Sequence, residues 1–397
     1  MNKHQQSGMT TLLITSMLLI VALLFSLASY KNLFYQIKRT QNEVLARQAH
    51  WVAEGGLECG FSAIKKYGDK SEVLSVFNRC EKELNLSKVY LDVNDYIYSE
   101  YNSLSKTELR KKIRRSPSLA GAIQAKSDLK LMGDYDIYPD VESIDSSGKY
   151  KCVSIRYSKK FYYETTAGKD ELEVFDPEEN GPYDGFTKDA ECVVKTNLKA
   201  NTSTENATKD NLKEDFIYDD KFDPFESALG APRSELEKLK KEFKEINGSK
   251  TQCDKDIKEA FNETDKVWVK GHCDLMAGTE VESLNNTPRI LVIENGIFAT
   301  FGSVEFYGML YHLYTDPISD MTSGWVGMSS GNTLSSEDKK KAVYYQAGAF
   351  VPVGGLILDS PEGLSVFRSS MAFHFKGEAN PNKNSDFLWV KGSWHDF

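Results

Sequence analysis

The sequence predicts an α+β protein, in which a long N-terminal helix precedes a disulfide-containing, β-rich region with stacked strands at its C-terminal end. Three observations support this prediction. Residues 9–29 form an uncharged apolar run, six cysteines are spread over the polar remainder of the 397-residue chain, and strand-like segments with glycine corners recur after residue 288. The stacked strands are expected to form a β-solenoid or a layered sheet.

Composition excludes several classes of protein. The chain carries 49 Lys and Arg against 58 Asp and Glu, a formal net charge of −9, which argues against a protein dominated by nucleic-acid electrostatics but leaves room for a local basic patch. With 40% hydrophobic residues and a mean hydropathy of −0.45, the chain is neither disordered nor a polytopic membrane protein. The cysteines include no C-x-x-C pair, which argues against a zinc module, and their even number fits an oxidising compartment.

The N-terminal apolar run is long enough to cross a bilayer. Residues 9–29 are longer than the core of an ordinary signal peptide, and no second run of this length follows. A short polar leader, residues 1–8, precedes the run and ends at Gly8. The flanking positive charges weakly favour a cytoplasmic location for the bulk of the chain, whereas the cysteines and the leader favour the opposite, oxidising side, which we prefer.

The helix is expected to continue beyond the membrane. Residues 30–53 lack proline and glycine, and apolar residues recur there at helical spacing. We therefore assign residues 9–58 to one helical segment, regular to about Ala53, with the Gly55-Gly56 pair as its first weak point. The second half of this helix would present an apolar stripe to a globular domain or to neighbouring subunits. The stripe comprises Leu33, Phe34, Ile37, Val44, Leu45 and Val52.

The leader glycine, the apolar span and the long amphipathic helix together resemble the N-terminus of type IV prepilins. Residues 41–59, with the sequence QNEVLARQAHWVAEGGLEC, resemble the minor pilins of the PilX type. The resemblance implies cleavage between Gly8 and Met9 by prepilin peptidase, followed by N-methylation of Met9. It also implies a single-pass protein in the inner membrane of a Gram-negative bacterium, with its bulk in the periplasm until it joins a pilus. The implied partners are other minor pilins, the major pilin, prepilin peptidase and the inner-membrane assembly machinery.

Leu13 departs from the family pattern, because most pilins carry glutamate at this fifth mature position. That carboxylate can neutralise the N-terminal ammonium of a neighbouring subunit in lipid, where an unpaired charge is costly. A subunit without it suits an initiating or capping role at the pilus tip better than repeated addition along the shaft. K-type pseudopilins of type II secretion show the same departure and are an alternative. A plain signal anchor that holds a periplasmic domain is another.

Residues 59–287 are predicted to form a disulfide-containing α+β region with loops. Sequential pairing is the simplest of the fifteen connectivities that six cysteines allow, although the sequence does not fix it. Each bridge would stabilise its loop-rich surroundings by about 2–4 kcal/mol. The candidate bridges join Cys59 to Cys80, Cys152 to Cys192, and Cys253 to Cys273.

One dense basic run, residues 106–115, stands out in the acidic chain. Competence pili capture DNA, so the resemblance makes this run a candidate DNA contact and makes a tip adhesin for DNA or a surface a further alternative. The preferred interpretation is a solvated face of a helix that ends at Pro117, since no aromatic residue interleaves the run. The candidate contacts are Arg110, Lys111, Lys112, Arg114 and Arg115.

Two other polar segments carry specific expectations. Residues 234–247 begin with a capping box, Ser234 with Glu237, and are predicted to form an amphipathic surface helix. Residues 201–223 are predicted to form a mobile loop whose acids are candidate calcium ligands, but no EF-hand spacing is present and surface acidity is the preferred interpretation. These acids are Asp219, Asp220 and Asp223.

Residues 288–397 are predicted to form a β-rich C-terminal module. Three segments, residues 303–312, 349–359 and 364–375, each have the pattern of a strand, a corner of small residues and a second strand. This tail also resembles the C-terminal part of PilX-like minor pilins. The edges of stacked strands can accept a partner strand, which suits docking of other minor pilins. Three aromatic residues are expected to cover an open end of the sheet, namely Trp389, Trp394 and Phe397.

Catalytic motifs are missing from the sequence. It contains no G-x-S-x-G elbow, phosphate-binding loop or G-x-G-x-x-G fingerprint, and its six histidines form no pair at the metal-ligand spacing of a helix. His312 and His374 occupy equivalent places in two of the repeated segments, and we expect them to pack rather than to bind a ligand. The sequence therefore predicts a structural protein without enzymatic activity, cofactor or metal.

Overall fold

The chain folds into two compact units, Met1–Arg115 together with Phe387–Phe397, and Ser116–Asp386. We refer to them as unit 1 and unit 2. The expected boundary at residue 288 does not separate them, because strands on both sides of it pair in one sheet. The α+β class is confirmed, since a long apolar helix precedes strand-rich, disulfide-containing structure. The computed structural model describes residues 4–67, 72–92, 94–102, 106–115, 119–145, 147–166, 168–177, 191–205, 211–275, 281, 287–382, 387–389, 393 and 395–396.

Unit 1 consists of two helices and an antiparallel sheet. Its N-terminal elements are α1 (His4–Tyr67), α2 (Glu72–Leu84), β1 (Lys88–Leu91), β2 (Tyr96–Tyr101) and β3 (Thr107–Arg115). Strand β3 pairs with β2 and with two short C-terminal strands, Phe387–Trp389 and His395–Asp396. One face of the sheet packs against α1 and α2 around an apolar core. This core includes Ala53, Leu57, Ile64, Phe77, Val89, Ile97, Leu109 and Ile113.

Helix α1 continues past Gly55 and Gly56 to Tyr67, so the expectation of a weak point there is wrong. The reason is close packing rather than a break in the helix. A Cβ atom on Gly56 would lie 2.1 Å from Ser99 Oγ of β2 and 2.5 Å from Leu86 Cδ1. Glycine at this position therefore lets the helix approach the sheet more closely than any other residue would allow.

Two further expectations for unit 1 are wrong. The basic run forms strand β3 instead of a helix, because it pairs along both edges and alternates buried Leu109 and Ile113 with more exposed residues. Trp389 was expected to cover an open end of the stacked strands, but it belongs to unit 1. It stacks on Phe61 of α1, with ring centroids 4.3 Å apart. The side chains of Trp394 and Phe397 lie outside the described residues.

Unit 2 contains many short strands and a few helical turns. Its helices are α3 (Pro224–Leu229), α4 (Leu236–Leu239) and α5 (Cys253–Phe261), with 3₁₀ turns at Arg233–Glu235, Lys240–Glu242, Ser330–Thr333, Asp338–Lys340 and Gly377–Ala379. The strands are β4 (Ile123–Ala125), β5 (Asp128–Met132), β6 (Tyr135–Tyr138), β7 (Asp140–Ile144), β8 (Tyr150–Val153), β9 (Ile155–Tyr157), β10 (Phe161–Glu164), β11 (Leu172–Val174), β12 (Asn197–Leu198), β13 (Thr202–Thr204), β14 (Phe216–Tyr218), β15 (Lys244–Asn247), β16 (Lys266–Lys270), β17 (Cys273–Leu275), β18 (Arg289–Glu294), β19 (Phe298–Phe301), β20 (Val304–Phe306), β21 (Gly308–Leu313), β22 (Ala342–Ala347), β23 (Phe350–Pro352), β24 (Leu356–Asp359), β25 (Leu364–Arg368) and β26 (Met371–His374).

These strands form three principal sheets, and we call the series of paired strands along them the stack. The first has the order β14-β9-β4-β24-β21-β18-β16-β15, the second β13-β10-β5-β25-β22-β19-β17, and the third β12-β11-β6-β26, and β20 pairs with β23 beside them. Neighbouring strands in these sheets are parallel, except that β13 is antiparallel to β10 and β12 is antiparallel to β11. Strands such as β18, β21 and β24, which follow one another in the first sheet, pair residue by residue. The three segments expected to form a strand, a corner and a second strand do so, as β20 with β21, β23 with β24, and β25 with β26.

The order of the strands along the stack does not follow the chain. The last turn, β24-β25-β26, pairs strand for strand with the first, β4-β5-β6. The chain therefore starts in the middle of the stack, builds outwards to β14, and then builds the other half from β15 back to the middle. Buried side chains from both halves form one core. Helix α5 contributes Ile257 and Phe261 to this core at the β15–β17 end of the stack.

Two polar segments of unit 2 differ from expectation. Residues 234–247 form short helical turns and then strand β15, because Ile246 packs on the main core and the strand pairs with β16. The described part of residues 201–223 is not a loop throughout. It contributes β13 and β14 to the ends of the second and first sheets. In both segments, the polar composition predicted a helix or a loop, but pairing with a neighbouring strand makes part of the segment a strand.

Candidate functional site

The N-terminal helix carries the features that bear on a membrane location. It is long and apolar enough to cross a membrane, and none of its most apolar window is buried against the rest of the protein. Both Gly8 and Met9 lie within α1, so the backbone around the expected cleavage point is helical. In α1, hydroxyl groups are satisfied within the helix, as Thr15 Oγ1 bonds the Thr11 carbonyl at 3.0 Å. Leu13, where most pilins have glutamate, is 63% exposed.

Beyond the apolar run, α1 has two different faces. One face is buried in unit 1 through Ala49, Ala53 and Leu57. Another face leaves large apolar side chains exposed, and Trp51 at 70% is among the most exposed. These exposed residues are Tyr30, Leu33, Phe34, Ile37, Val44 and Trp51, and we call them the helix stripe. Tyr30, Ile37, Val44 and Trp51 follow one another at intervals of seven, the repeat that places residues on one side of a helix that packs against another helix.

Three disulfides lie where the sequential pairing places them. They join Cys59 to Cys80, Cys152 to Cys192, and Cys253 to Cys273. The first links α1 to α2 within unit 1, and the third links α5 to β17 at one end of the stack. The second links Cys152 in β8 to Cys192, which lies between β11 and β12 in the chain. All six cysteines are therefore used in closing loops.

The basic run on β3 is divided between two faces of the sheet. Lys111 lies on the face towards α1, where its Nζ is 3.9 Å from Glu58 Oε1 and 4.3 Å from the ring centroid of Trp389. Arg110 and Lys112 alternate with it and therefore lie on the opposite face. The side chains of Arg114 and Arg115 lie outside the described residues, although both backbones belong to β3.

The sequence interpretation missed the tyrosines that accompany these cations. Tyr96 is paired with Lys112 across the sheet, and Tyr98 is paired with Arg110. The guanidinium carbon of Arg110 lies 5.2 Å from the ring centroid of Tyr96. The signal was present in the alternation of residues 96–101, YIYSEY, but it becomes visible only once residues 106–115 are recognised as the neighbouring strand.

Unit 2 contains an ionic cluster around the buried carboxylate of Asp359. Its carboxylate accepts hydrogen bonds from Tyr311 Oη and from Arg233 Nη2, each at 2.6 Å. Arg233 also bonds Asp223 Oδ1 at 2.7 Å and lies over the ring of Phe225. Burial, followed by the nearby carboxylate of Asp359, raises the pKa of Tyr311 well above its ordinary value. The cluster fastens the segment around α3 to the first sheet, which is a structural role.

Two of the three acids considered as calcium ligands have other partners. Asp223 caps α3 by accepting a hydrogen bond from Phe225 N at 3.1 Å and pairs with Arg233. Asp219 lies 3.6 Å from Arg156 Nη1, and Asp220 is exposed. Within the described ranges, no group of three or more His, Cys, Asp or Glu side chains is arranged to hold a metal ion.

The two histidines in the repeated segments lie in different sheets. His312 belongs to the first sheet and is fully buried, with Nε2 2.8 Å from the Gly296 carbonyl oxygen. His374 belongs to the third sheet and stacks on Tyr138, with ring centroids 4.4 Å apart. The supposed equivalence of their positions is therefore wrong, because β21 runs in the first sheet whereas β26 runs in the third.

The similarity searches add no family assignment to these observations. A comparison of the chain with protein-family models, with curated proteins and with solved structures finds no match.

Proposed function

We propose that this protein is a minor type IV pilin of a Gram-negative bacterium that helps to initiate pilus assembly and lies at or near the pilus tip. The single observation that carries the proposal is the division of α1. Its N-terminal part is exposed and apolar enough for lipid, and its C-terminal part is packed into unit 1 on one face while the helix stripe remains exposed on another. A helix that merely anchored a domain would not need an apolar stripe beyond the lipid.

The helix stripe supplies the proposed contact with other subunits. Before assembly, α1 would hold the protein in the inner membrane with its bulk in the periplasm, where the three disulfides would form. In the pilus, the stripe would pack against the helices of other minor pilins and of the major pilin, burying side chains such as Ile37 and Val44. Leu13 supports a position at the tip, because this subunit has no carboxylate to offer the N-terminal ammonium of a neighbour.

In this proposal, unit 2 supplies a second surface for contacts with other minor pilins. We interpret its stacked turns as a β-solenoid, supported by the parallel, in-register pairs in its sheets. Strand β15 pairs on one side only among the described strands, so its free edge is the proposed docking surface for another minor pilin. The abundance of strands also favours a PilX-type pilin over a K-type pseudopilin, whose large domain is mainly helical.

Processing at Gly8 provides the most direct test. The full chain is expressed in cells with and without an active prepilin peptidase, and its intact mass and N-terminal residue are determined. We expect a chain that begins at N-methylated Met9 only when the peptidase is present. Gly8→Asn should abolish the cleavage, because a larger side chain then occupies the cleavage position. The matched variant Ser7→Ala should be cut normally. A chain that begins at Met1 in both cell types, or that is cut near Ala28, would contradict the proposal.

The position in the fibre is tested separately at Leu13. If the missing carboxylate restricts this subunit to the tip, Leu13→Glu should allow additional copies to enter the shaft. The readout is the number and position of labelled subunits per pilus in electron micrographs. Leu12→Glu is the matched control, since it adds the same charge one residue away without recreating the fifth-position carboxylate. Equal counts for the wild type and Leu13→Glu would refute the explanation based on position 13.

A further inference from the structure

Unit 2 contains a small polar cavity at the corner where its first and last turns meet. Gln124 of β4 and Ile357 of β24 line it from the first sheet. Asp140 and Phe375, which follow the third-sheet strands β6 and β26, line it from the other side of the corner. The cavity has a volume of about 30 Å³. One water needs about 10–15 Å³, so the cavity has room for an ordered water or a bare ion.

The side chain of Gln124 carries a buried oxygen into the wall of this cavity. Its Nε2 donates a hydrogen bond to the Leu119 carbonyl at 2.7 Å, which fixes the orientation of the amide. Gln124 is 6% exposed, and its Oε1 is buried without a hydrogen-bond partner among the described residues. A buried acceptor of this kind is costly unless a donor or a cation lies beside it.

Asp140 places a carboxylate at the same cavity. It is 1% exposed, and its oxygens accept hydrogen bonds from Gly121 N at 3.0 Å and from Val141 N at 2.7 Å. An ionised carboxylate offers about four acceptor sites, of which these two bonds use two. Gln124 binds the same short segment, residues 119–121, so both side chains are held in place by one stretch of backbone.

Several N–H groups of the wall are already engaged elsewhere. Gly355 N donates to the Pro352 carbonyl at 2.9 Å, and Asn382 Nδ2 donates to the Ala228 carbonyl at 2.6 Å. The wall therefore offers oxygen acceptors and a negative charge, which favours a cation over an anion or an apolar ligand.

The neighbouring arginine does not exclude a cation from the cavity. Arg156 is paired with Gln124 across the first sheet, and its Nε donates to the Ala120 carbonyl at 3.0 Å. Its guanidinium lies 3.0 Å from the carboxylate of Glu142 and 3.6 Å from that of Asp219. These two acids offset its charge.

We propose that this cavity binds a calcium ion between Gln124 Oε1 and the carboxylate of Asp140. Calcium accepts carboxylate, amide and carbonyl oxygens in flexible geometry, whereas magnesium keeps several waters, for which a cavity of this size has no room. Because the site uses one acid and neutral oxygens, it differs from a cluster of three or more His, Cys, Asp or Glu side chains, which the described residues do not contain. A single carboxylate predicts a dissociation constant of about 10⁻⁴–10⁻³ M, as in weak extracellular calcium modules.

The ion would join the first turn of unit 2 to the last, because Gln124 belongs to the first turn and pairs with Ile357 of the last. This inference concerns unit 2 alone and does not depend on the pilin proposal.

The test measures urea unfolding of the full chain in detergent, after removal of metals with a chelator, with and without calcium. At about 10 mM calcium, the unfolding equilibrium constant of the wild type should fall about 10- to 100-fold. Magnesium at the same concentration and sodium chloride at the same ionic strength should have little effect. Equilibrium dialysis with radioactive calcium counts the bound ions directly.

Gln124→Met and Asp140→Asn should each abolish the effect of calcium, since the first removes the amide oxygen and the second removes the charge. Each variant is compared with itself with and without calcium, so any loss of stability from the substitution cancels, and either variant suffices if the other does not fold. Asp136→Asn is the matched control, because it removes a carboxylate from β6 outside the cavity, and it should respond like the wild type.

Three results would overturn the inference and leave the cavity as a site for water alone. They are the absence of calcium bound to the folded wild type at about 10 mM, equal stabilisation by magnesium or sodium chloride, and an unchanged calcium effect in the folded Gln124→Met and Asp140→Asn variants.

Discussion

Ser127 Oγ lies 2.8 Å from Ser365 Oγ, although 238 positions separate the two residues in the chain. Both side chains are fully buried, and they join the first turn of unit 2 to the last. Each hydroxyl needs a partner in this environment, because water cannot reach it. The contact is therefore a sensitive measure of whether the two halves of the stack meet as described.

Removing one of these hydroxyl groups should destabilise unit 2. Ser365→Ala leaves the Ser127 hydroxyl buried without its partner, and we expect a loss of about 1–3 kcal/mol in the free energy of unfolding. The double variant Ser127→Ala/Ser365→Ala removes both polar groups and should recover part of that loss. Urea unfolding of the four proteins in a double-mutant cycle measures the coupling. A coupling energy near zero would show that the two serines do not interact.

The neighbouring glycines of α1 should respond in opposite directions to alanine. In Gly56→Ala, the new Cβ would lie 2.1 Å from Ser99 Oγ and 2.5 Å from Leu86 Cδ1, so these side chains must shift and we expect a destabilisation of about 1–3 kcal/mol. In Gly55→Ala, the nearest atom to the new Cβ is Leu84 Cδ1 at 3.7 Å, an ordinary contact. This control should stabilise the helix by up to about 1 kcal/mol. Thermal unfolding of unit 1 in the full chain measures both, and similar melting temperatures would contradict the close approach of α1 to β2.

The same glycines show what the sequence could and could not predict. Local patterns predicted the long helix and the three segments that form β20, β21, β23, β24, β25 and β26, because these depend on nearby residues. Sequential pairing was the simplest of the disulfide connectivities, and the structure has it, although the sequence did not fix it. Glycine has a low helix propensity, so the Gly55-Gly56 pair was interpreted as a weak point of the helix. The close contact of Gly56 with Ser99, for which glycine is needed, is not visible in the sequence. The prediction of a helix for residues 106–115 was wrong for the same reason. This run forms a strand because it pairs with β2 and with the C-terminal strands.

The arrangement of unit 2 depends on contacts between distant residues. The repeated strands of residues 303–375 were visible, but nothing local indicates that residues 123–138 form the next turn of the same stack. The ionic cluster has a similar origin, because Arg233 and Asp359 are 126 positions apart. Sequence analysis identified Gly8, Met9 and the cations of β3 as candidate functional residues. It did not identify the tyrosines that lie beside those cations.

Removing the cation that pairs with the buried carboxylate of Asp359 should be costly. Arg233→Met would leave the carboxylate of Asp359, whose side chain is 2% exposed, without its closest cation. We expect a loss of about 3–5 kcal/mol, somewhat less where Lys126 at 3.9 Å compensates. Arg233→Met/Asp359→Asn removes the uncompensated charge and should be more stable than Arg233→Met. The control Lys238→Met breaks an exposed pair with Glu235 and should change stability by less than about 1 kcal/mol. Chemical denaturation of all four proteins measures the order.

A buried histidine should make the stability of unit 2 sensitive to mild acid. Burial lowers the pKa of His312 from 6.5 to about 4, and the hydrogen bond with the Gly296 carbonyl offsets this only in part. The unfolded chain therefore binds a proton at this residue between pH 6.5 and about 4 while the folded protein does not. Stability present above pH 6.5 is consequently lost as the pH falls towards about 4, by on the order of 3 kcal/mol.

The variant His312→Gln isolates this effect from those of other buried groups. Burial raises the pKa of Asp215 and of Asp274, so these carboxyls act with the opposite sign and favour the folded state as the pH falls. Because both proteins contain these acids, the difference in unfolding free energy between the wild type and His312→Gln reports on His312 alone. This difference should favour the wild type more at pH 7.5 than at pH 5, since glutamine does not titrate. A difference that is constant with pH would mean that His312 has the same pKa in the folded and unfolded chains, which would contradict its burial between Ile293 and Leu358 in the first sheet.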